Sequence, residues 1–446
     1  MSPVKDLLGR RDFRRMLIGQ AVSSLGDWMG TIALMMLVLR LSGSTTAVGG
    51  VLVLQLLPSA VAAPMVSRLV SRVDRRQVML ACDAIRAVLA VLLPLISVIG
   101  WVYLWAFMLQ VVGLAFLPAR DAATPVLAGL PEGEHDGDER DKEARLSAAN
   151  ALILATGYGA IPFGAGLFAL IVTVGNAIGL PTAVQFLVAF WVDALTYVAS
   201  YAAIRGIGDL GHRLRQSADP AGAAVDVPAA RRRQPESFRL REVARYPVAR
   251  TVVGATLVAV LGLGALFSLG AVFVDKTVGA GPVGFGALVA MFGVGAVTGL
   301  VVSRVLAGRA RDRQLRVAVA LQGATIVSMT IIAMLPLTLV GAAVFGAAVT
   351  SALLNAIGLL QDSLTGAARD LALSAFHLTL RGGLALSALL AGAAADLVGR
   401  LRVPGIGLLR PEQTVLLAAG VIVILSGFAL RPPSDRRREH AAPAHI

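Results

Sequence analysis

The chain has 446 residues, 57% of them hydrophobic and only 15% charged, with a mean hydropathy of +0.77. Soluble domains carry about 25% charged residues, so this composition excludes a soluble globular protein and indicates one embedded in a membrane. The net charge of +13 does not indicate nucleic acid, because the arginines fall between apolar segments without aromatic interleaving or a basic helix face.

A hydrocarbon layer about 30 Å thick requires roughly 20 apolar residues per helix. Read in chain order, the N-terminal stretch MSPVKDLLGRRDFRRM leads into an apolar run too long for a signal peptide, with no cleavage site after it. Apolar runs near 16–40, 47–69, 78–99, 102–118, 146–174 and 184–204 predict six spans, and runs near 248–273, 284–306, 314–335, 338–360, 371–396 and 412–430 predict six more. The single cysteine, Cys82, lies inside an apolar run, so no internal disulfide can form and a packing role is expected.

The loop charges test the count. Of the 40 lysines and arginines, 33 fall in the two termini and in the loops after spans 2, 4, 6, 8 and 10. Five lie on the other side (Arg40, Lys276, Arg400, Arg402, Arg410), while Arg86 and Arg381 fall within spans. That bias predicts both termini in the cytoplasm of a multi-pass protein of the cell membrane.

The expected architecture is an all-α integral membrane protein. Residues 1–204 form one six-helix bundle, 205–247 a cytoplasmic linker, and 248–446 a second bundle with a basic tail. The linker is rich in Ala, Pro, Gly and Arg. Its end, FRLREVARYPVAR, spaces Phe238, Leu240, Val243 and Tyr246 as a short helix at the membrane surface would. The acidic insert LPEGEHDGDERDKEARLS after span 4 reads as solvated chain, with no site assigned to it.

An arginine-rich phrase occurs twice, SRLVSRVDRRQV at 67–78 and SRVLAGRARDRQL at 303–315, each between the second and third spans of its half. Such coincidence fits a parallel internal repeat, two halves related by an axis along the membrane normal. The first phrase resembles the G-x-x-x-D-R-x-G-R-R loop of the major facilitator superfamily. Ser67 stands for the first Gly, Ser71 for the Asp and Asp74 for the second Gly, while Arg72, Arg75 and Arg76 match. SSLGDWMGTIAL, PARDAATPVLAGLP, SAANAL and FWVDALTYVASYAAIRGI extend the likeness over nearly the whole chain, toward the drug and siderophore exporters of that superfamily.

The resemblance implies a twelve-helix transporter whose loop residues Ser71, Arg72, Asp74, Arg75, Arg76, Arg120, Arg304 and Asp312 gate the two access states. In the family the loop's Asp caps the end of helix 11. Ser71 carries no charge, so the resemblance implies a weaker latch here, with Asp74 as a substitute. Plain anchoring of the loop by its arginines remains the other reading.

A charge near the bilayer centre costs at least about 2.5–3.5 kcal/mol, so those present face a cavity or a partner. Asp27, Asp83, Arg86, Asp193, His377 and Arg381 fall inside spans, and Gln55 and Asn355 are neutral polar residues there. Asp83 and Arg86 are three apart and can pair on one helix face, and His377 and Arg381 are four apart. These eight are the candidate proton-coupling and cavity residues, with structural ion pairs or interhelical hydrogen bonds as the competing role. The glycine-rich GYGAIPFGAG and GVGAVTG read as close helix contacts.

HExxH, GxSxG, Walker and Cys/His-cluster patterns are absent from the sequence, so neither an enzyme nor a cofactor or metal is expected. The function expected is a monomeric secondary transporter working by alternating access, exchanging protons for an exported small amphipathic molecule. An importer or uniporter of a nutrient or lipid-like molecule, or a non-transporting receptor with the same fold, are the alternatives.

Overall fold

The computed structural model describes residues 3–61, 73–130, 139–208, 243, 245–306, 310–403 and 407–429. A short helix α1 (Pro3–Gly9) precedes α2 (Arg11–Ser42), α3 (Thr45–Val61), α4 (Arg75–Leu92), α5 (Ile99–Leu127), α6 (Glu139–Ala177) and α7 (Thr182–Arg205). Then come α8 (Pro247–Val272), extended by a π-helical turn Phe273–Val278, α9 (Gly281–Val305), α10 (Arg311–Ile332), α11 (Leu335–Ser363), α12 (Gly366–Leu397) and α13 (Pro411–Ala429).

Among the described residues eleven helices are long and apolar enough to cross a membrane. Each corresponds to one expected span. The remaining expected span is α3, described as far as Val61 and therefore short of its predicted end at 69.

Local chemistry explains the boundaries. Gly43 (φ 65°) closes α2 in the left-handed conformation, its N–H bonding to Leu39 O. Asp74 caps α4 by accepting from the Arg76 N–H at 2.8 Å, satisfying one of the free donors at a helix start.

Two features differ from expectation. Part of the acidic insert is ordered helix: α6 begins at Glu139, seven residues before the predicted span, and Arg145 reaches Asp6 of α1 at 3.4 Å. Residues 131–138 lie outside the described part, as does most of the linker with its predicted surface helix. Between α12 and α13 a small antiparallel hairpin, β1 (Leu401–Val403) with β2 (Gly407–Leu409), pairs Leu401 with Leu409.

By contact the chain divides into two units, Met1–Asp226 with Ala271–Gly293, and Val227–Gly270 with Val294–Ile446. In the first, α7 packs along both α2 and α4, and α6 along α2. A Cβ at Gly164 of α6 would lie 2.5 Å from Leu25 O and 2.9 Å from Trp28 Cβ, and one at Gly293 would meet Pro162 Cδ at 2.6 Å. Lipid offers helices little hydrophobic drive to associate, so close backbone packing supplies the adhesion. Phe13, Met16, Met79, Cys82, Phe116 and Ile204 form the core at the end where α2 starts. Cys82 is buried there as a packing residue. In the second unit α10 packs against α11 and α13.

Candidate functional site

Helix α7 carries Asp193, Thr196, Tyr197 and Ser200 at spacings of three, four and seven, hence on one face. All four are buried, Asp193 3% and Tyr197 2% exposed. The helix lies so close to α2 that a Cβ on Gly30 would stand 2.7 Å from Asp193 Oδ2, and one on Gly26 would overlap Asp193 Oδ1 and the Thr196 hydroxyl. Two glycines one turn apart on α2 thus open the slot that holds the Asp193 carboxylate.

Asp27 lies beside that slot. Its Oδ1 pairs with Arg86 Nη2 of α4 and accepts a hydrogen bond from the Tyr197 hydroxyl at 2.5 Å. Arg86 Cζ also stands 4.2 Å from the centroid of the Tyr197 ring, a cation–π contact. Arg86 and Tyr197 therefore converge on one carboxylate oxygen, tying α2, α4 and α7 together.

Asp83, one turn before Arg86 on α4, is fully buried with the Ser200 hydroxyl of α7 as its polar neighbour, though neither of its oxygens meets hydrogen-bond geometry with a described residue. The expected pairing of Asp83 with Arg86 is not made. Across the helix interface Arg86 finds a charge-assisted bond together with an aromatic face, which its own helix does not offer. Three carboxylates therefore surround one guanidinium inside the membrane-spanning part of the unit. Among the described residues no three His, Cys, Asp or Glu side chains converge as a metal site requires.

The other candidates disperse. Gln55 donates to Thr31 at 3.4 Å, joining α3 to α2. Asn355 is buried and spends its amide on Ser351 of its own helix at 2.8 Å, a local role. His377 and Arg381 are exposed on α12, the His377 ring edge-on to Phe376 at 5.2 Å.

At the end of the unit where α2 starts, the loop arginines bind helix ends. Arg75 Nη1 donates to Ala122 O near the end of α5 at 2.7 Å, and Arg76 Nη2 to Arg205 O, the last residue of α7, at 2.6 Å. Cations there meet the negative pole of each helix, and Arg205 O is also one of the carbonyls that a helix end leaves without an intrahelical partner. Arg120 is held by Asp121 at 2.6 Å and by Gln20 at 3.3 Å. In the second unit Arg311, first residue of α10, pairs with Asp362 near the end of α11 at 2.9 Å. The same relation, third helix to fourth, thus recurs with Arg75. Asp312 contacts Arg316 at 3.4 Å, and Arg304 is exposed. Ser71 and Arg72 lie outside the described residues.

Sequence reading missed Thr196, Tyr197, Ser200 and the glycine slot. A signal was present: in VDALTYVAS every polar residue recurs on one helical face of an otherwise apolar span.

The helix order is that of a polytopic all-α membrane protein, and the fold is one shared with solved membrane transporters. Solved structures carry that assignment. The nucleoside transporter NupG aligns at a TM-score of 0.66 with 12% identity, covering 96% of this chain and 98% of its own. A bacterial homologue of the iron transporter ferroportin, in an inward-facing state, aligns at 0.64 with 13% identity, covering 95% and 98%. A POT family transporter, solved with a thioalcohol-conjugated peptide, aligns at 0.64 with 10% identity, covering 93% and 94%. No protein-family model and no curated protein sequence matches the chain.

Proposed function

We propose that the protein is a proton-coupled secondary transporter working by alternating access, in which the Asp27–Arg86–Tyr197 group with Asp83 and Asp193 carries the proton. One observation supports this above the others: three carboxylates share one arginine where water is scarce. A buried carboxylate that lacks a partner is costly as an anion and is relieved by taking a proton. Arg86 compensates Asp27 in this arrangement, which leaves Asp83 and Asp193 without a counter-charge of their own, Asp193 accepting, among the described residues, only from the Thr196 hydroxyl at 3.5 Å. A rearrangement that moved Arg86 from Asp27 toward another carboxylate would release one proton and admit another.

In this reading two six-helix halves, residues 1–204 and 248–446, move as bodies joined by the linker, with both termini cytoplasmic. The arginine loops bind helix ends in one access state and release them in the other. Export of a small amphipathic compound by a monomer rests on the sequence resemblance.

Proteoliposomes with an internal pH dye test the coupling. Substrate-driven proton movement should disappear in Asp193→Asn and in Asp83→Asn, and unchanged movement in both variants would exclude the cluster as the carrier.

A further inference from the structure

Arg381 is the sixteenth of the 32 residues of α12, so its stem leaves the helix near the middle of the span. Among the described residues no carboxylate lies within salt-bridge distance of it. Arg86, the other arginine within a span, is neutralised by Asp27.

The helix surface around Arg381 changes along its length. His377, Arg381, Leu384, Ala388, Ala391 and Ala395 fall on one stripe at spacings of three and four. His377 and Arg381 are exposed, Leu384 is half-buried, and Ala388, Ala391 and Ala395 are buried. This stripe is therefore open at one end of the helix and closed at the other. A lipid-facing stripe has no reason to close. About half a turn away Leu386, Leu390 and Leu397 are 57%, 57% and 86% exposed, the apolar surface that lipid contact calls for. An arginine with no acidic partner on the closing stripe fits a water-filled recess, not hydrocarbon.

We infer that the Arg381–His377 face is an anion-receiving site, and that the transported molecule carries a carboxylate or phosphate group on an otherwise amphipathic body. That the anion is transported rests on the reading above, whereas the anion site does not. Guanidinium binds both groups through paired N–H donors, and an imidazole four residues earlier adds a donor on the same face. A lipid headgroup is the weaker source of the anion, since headgroups sit about 15 Å from the midplane of a 30 Å core. The excess of carboxylates in the first unit and the uncompensated cation in the second assign the proton and the anion to different helices.

The test uses the full-length protein in nanodiscs of zwitterionic lipid, which removes anionic headgroups as an occupant. Cys82→Ser clears the only native thiol, and His377→Cys or Leu386→Cys places a single new one. Labelling rates with the anionic sulfonatoethyl and cationic trimethylammonioethyl methanethiosulfonates are normalised to a free thiol. At position 377 the anionic reagent should be favoured about tenfold, the lower end of charge focusing in clefts. Arg381→Gln should bring the ratio near one and Arg381→Lys should keep it. The thiol at 386 should react with neither reagent. Benzoate should slow labelling at 377 more than benzamide at matched ionic strength.

No reaction at 377, equal or cation-favoured rates, a ratio unchanged in Arg381→Gln, or no protection by benzoate would each overturn the assignment. If anionic lipid restored to the nanodisc blocks labelling at 377, the site belongs to a headgroup and the substrate assignment falls. None of these readouts requires transport. A protein that moves no protons still reports its anion preference, and a coupled transporter without it loses only this inference.

Discussion

Arg86 on α4 pairs with Asp27 on α2 and leaves Asp83, one turn before it on its own helix, without a hydrogen-bond partner among the described residues. The arginine is thus a bond between helices, and its geometry depends on how α2, α4 and α7 are placed. A charge that holds three helices in one arrangement is also the group that feels any change in that arrangement.

Asp27→Asn removes the counter-charge and leaves the Arg86 guanidinium, 13% exposed, facing a neutral amide. Breaking a buried pair from one side costs about 3–5 kcal/mol, and the 36% exposure of Asp27 places this case at the lower end. The melting temperature should fall in Asp27→Asn and in Arg86→Gln. The double variant should recover part of the loss, since neither charge is then stranded. A double variant whose loss equals the sum of the two would show that the ion pair does not couple the helices.

Asp193→Asn and Asp83→Asn keep side-chain shape and remove a protonatable oxygen. Both should fold, and both should still exchange labelled for unlabelled substrate across the membrane, because exchange needs no net proton movement. What they should lose is accumulation driven by a pH gradient. Measuring counterflow and gradient-driven flux on the same vesicles separates a coupling defect from a folding defect.

The charged residues of the spans were legible as residues and not as partners. Hydropathy marks Asp27, Asp83, Arg86 and Asp193 as costly, because each interrupts an apolar run of a length that only a span requires. Spacing along one helix favours Asp83 with Arg86, and nothing local shows that Asp27 lies across the interface with a tyrosine beside it. The spans were legible for the same reason that the cluster was not: hydropathy is summed along the chain, whereas pairing depends on which helices touch. The helical start of α6 at Glu139 was hidden because a charged, apolar-poor segment looks the same whether it is helix or solvated coil.

Gly30 tests the slot. An alanine there would place its Cβ 2.7 Å from Asp193 Oδ2, closer than carbon and oxygen tolerate, so either the carboxylate or helix α7 must move. Overpacking of this kind costs about 1–3 kcal/mol. Gly30→Ala should lower the melting temperature and impair coupling together, whereas Gly254→Ala in α8, where a Cβ meets nothing within 4 Å, should leave both unchanged. Equal behaviour of the two variants would show that the close approach of α2 to Asp193 has no energetic consequence.

The helix-end contacts make a separate prediction. Arg76→Ala removes the guanidinium that binds Arg205 O, and Arg75→Ala the one that binds Ala122 O. A hydrogen bond from a charged donor contributes about 1.5–3 kcal/mol, less where the bond is open to water as that of Arg76 is. Asp74→Ala should cost about 1 kcal/mol through the lost cap of α4. If the arginines gate as well as anchor, Arg75→Ala and Arg76→Ala will change the ratio of inward to outward accessibility beyond what Asp74→Ala does. Site-directed thiol labelling from each side of the membrane provides that ratio, and identical ratios in all three variants would leave anchoring as the sole role.

Gln322 on α10 gives the last prediction, in the second unit and away from the cluster. It is fully buried, and neither its amide nitrogen nor its oxygen has a hydrogen-bond partner among the described residues. Close by, α10 and α13 touch backbone to backbone: a Cβ on Gly323 would stand 2.5 Å from Gly420 O. A polar group buried without a partner costs about 1–3 kcal/mol, and replacing it by an apolar group of similar volume removes that cost. Gln322→Leu should therefore raise the melting temperature of the purified protein by several degrees while transport continues. A lower melting temperature would mean that the amide holds a bound water or a polar partner whose bonds outweigh the desolvation, and that α10 depends on it.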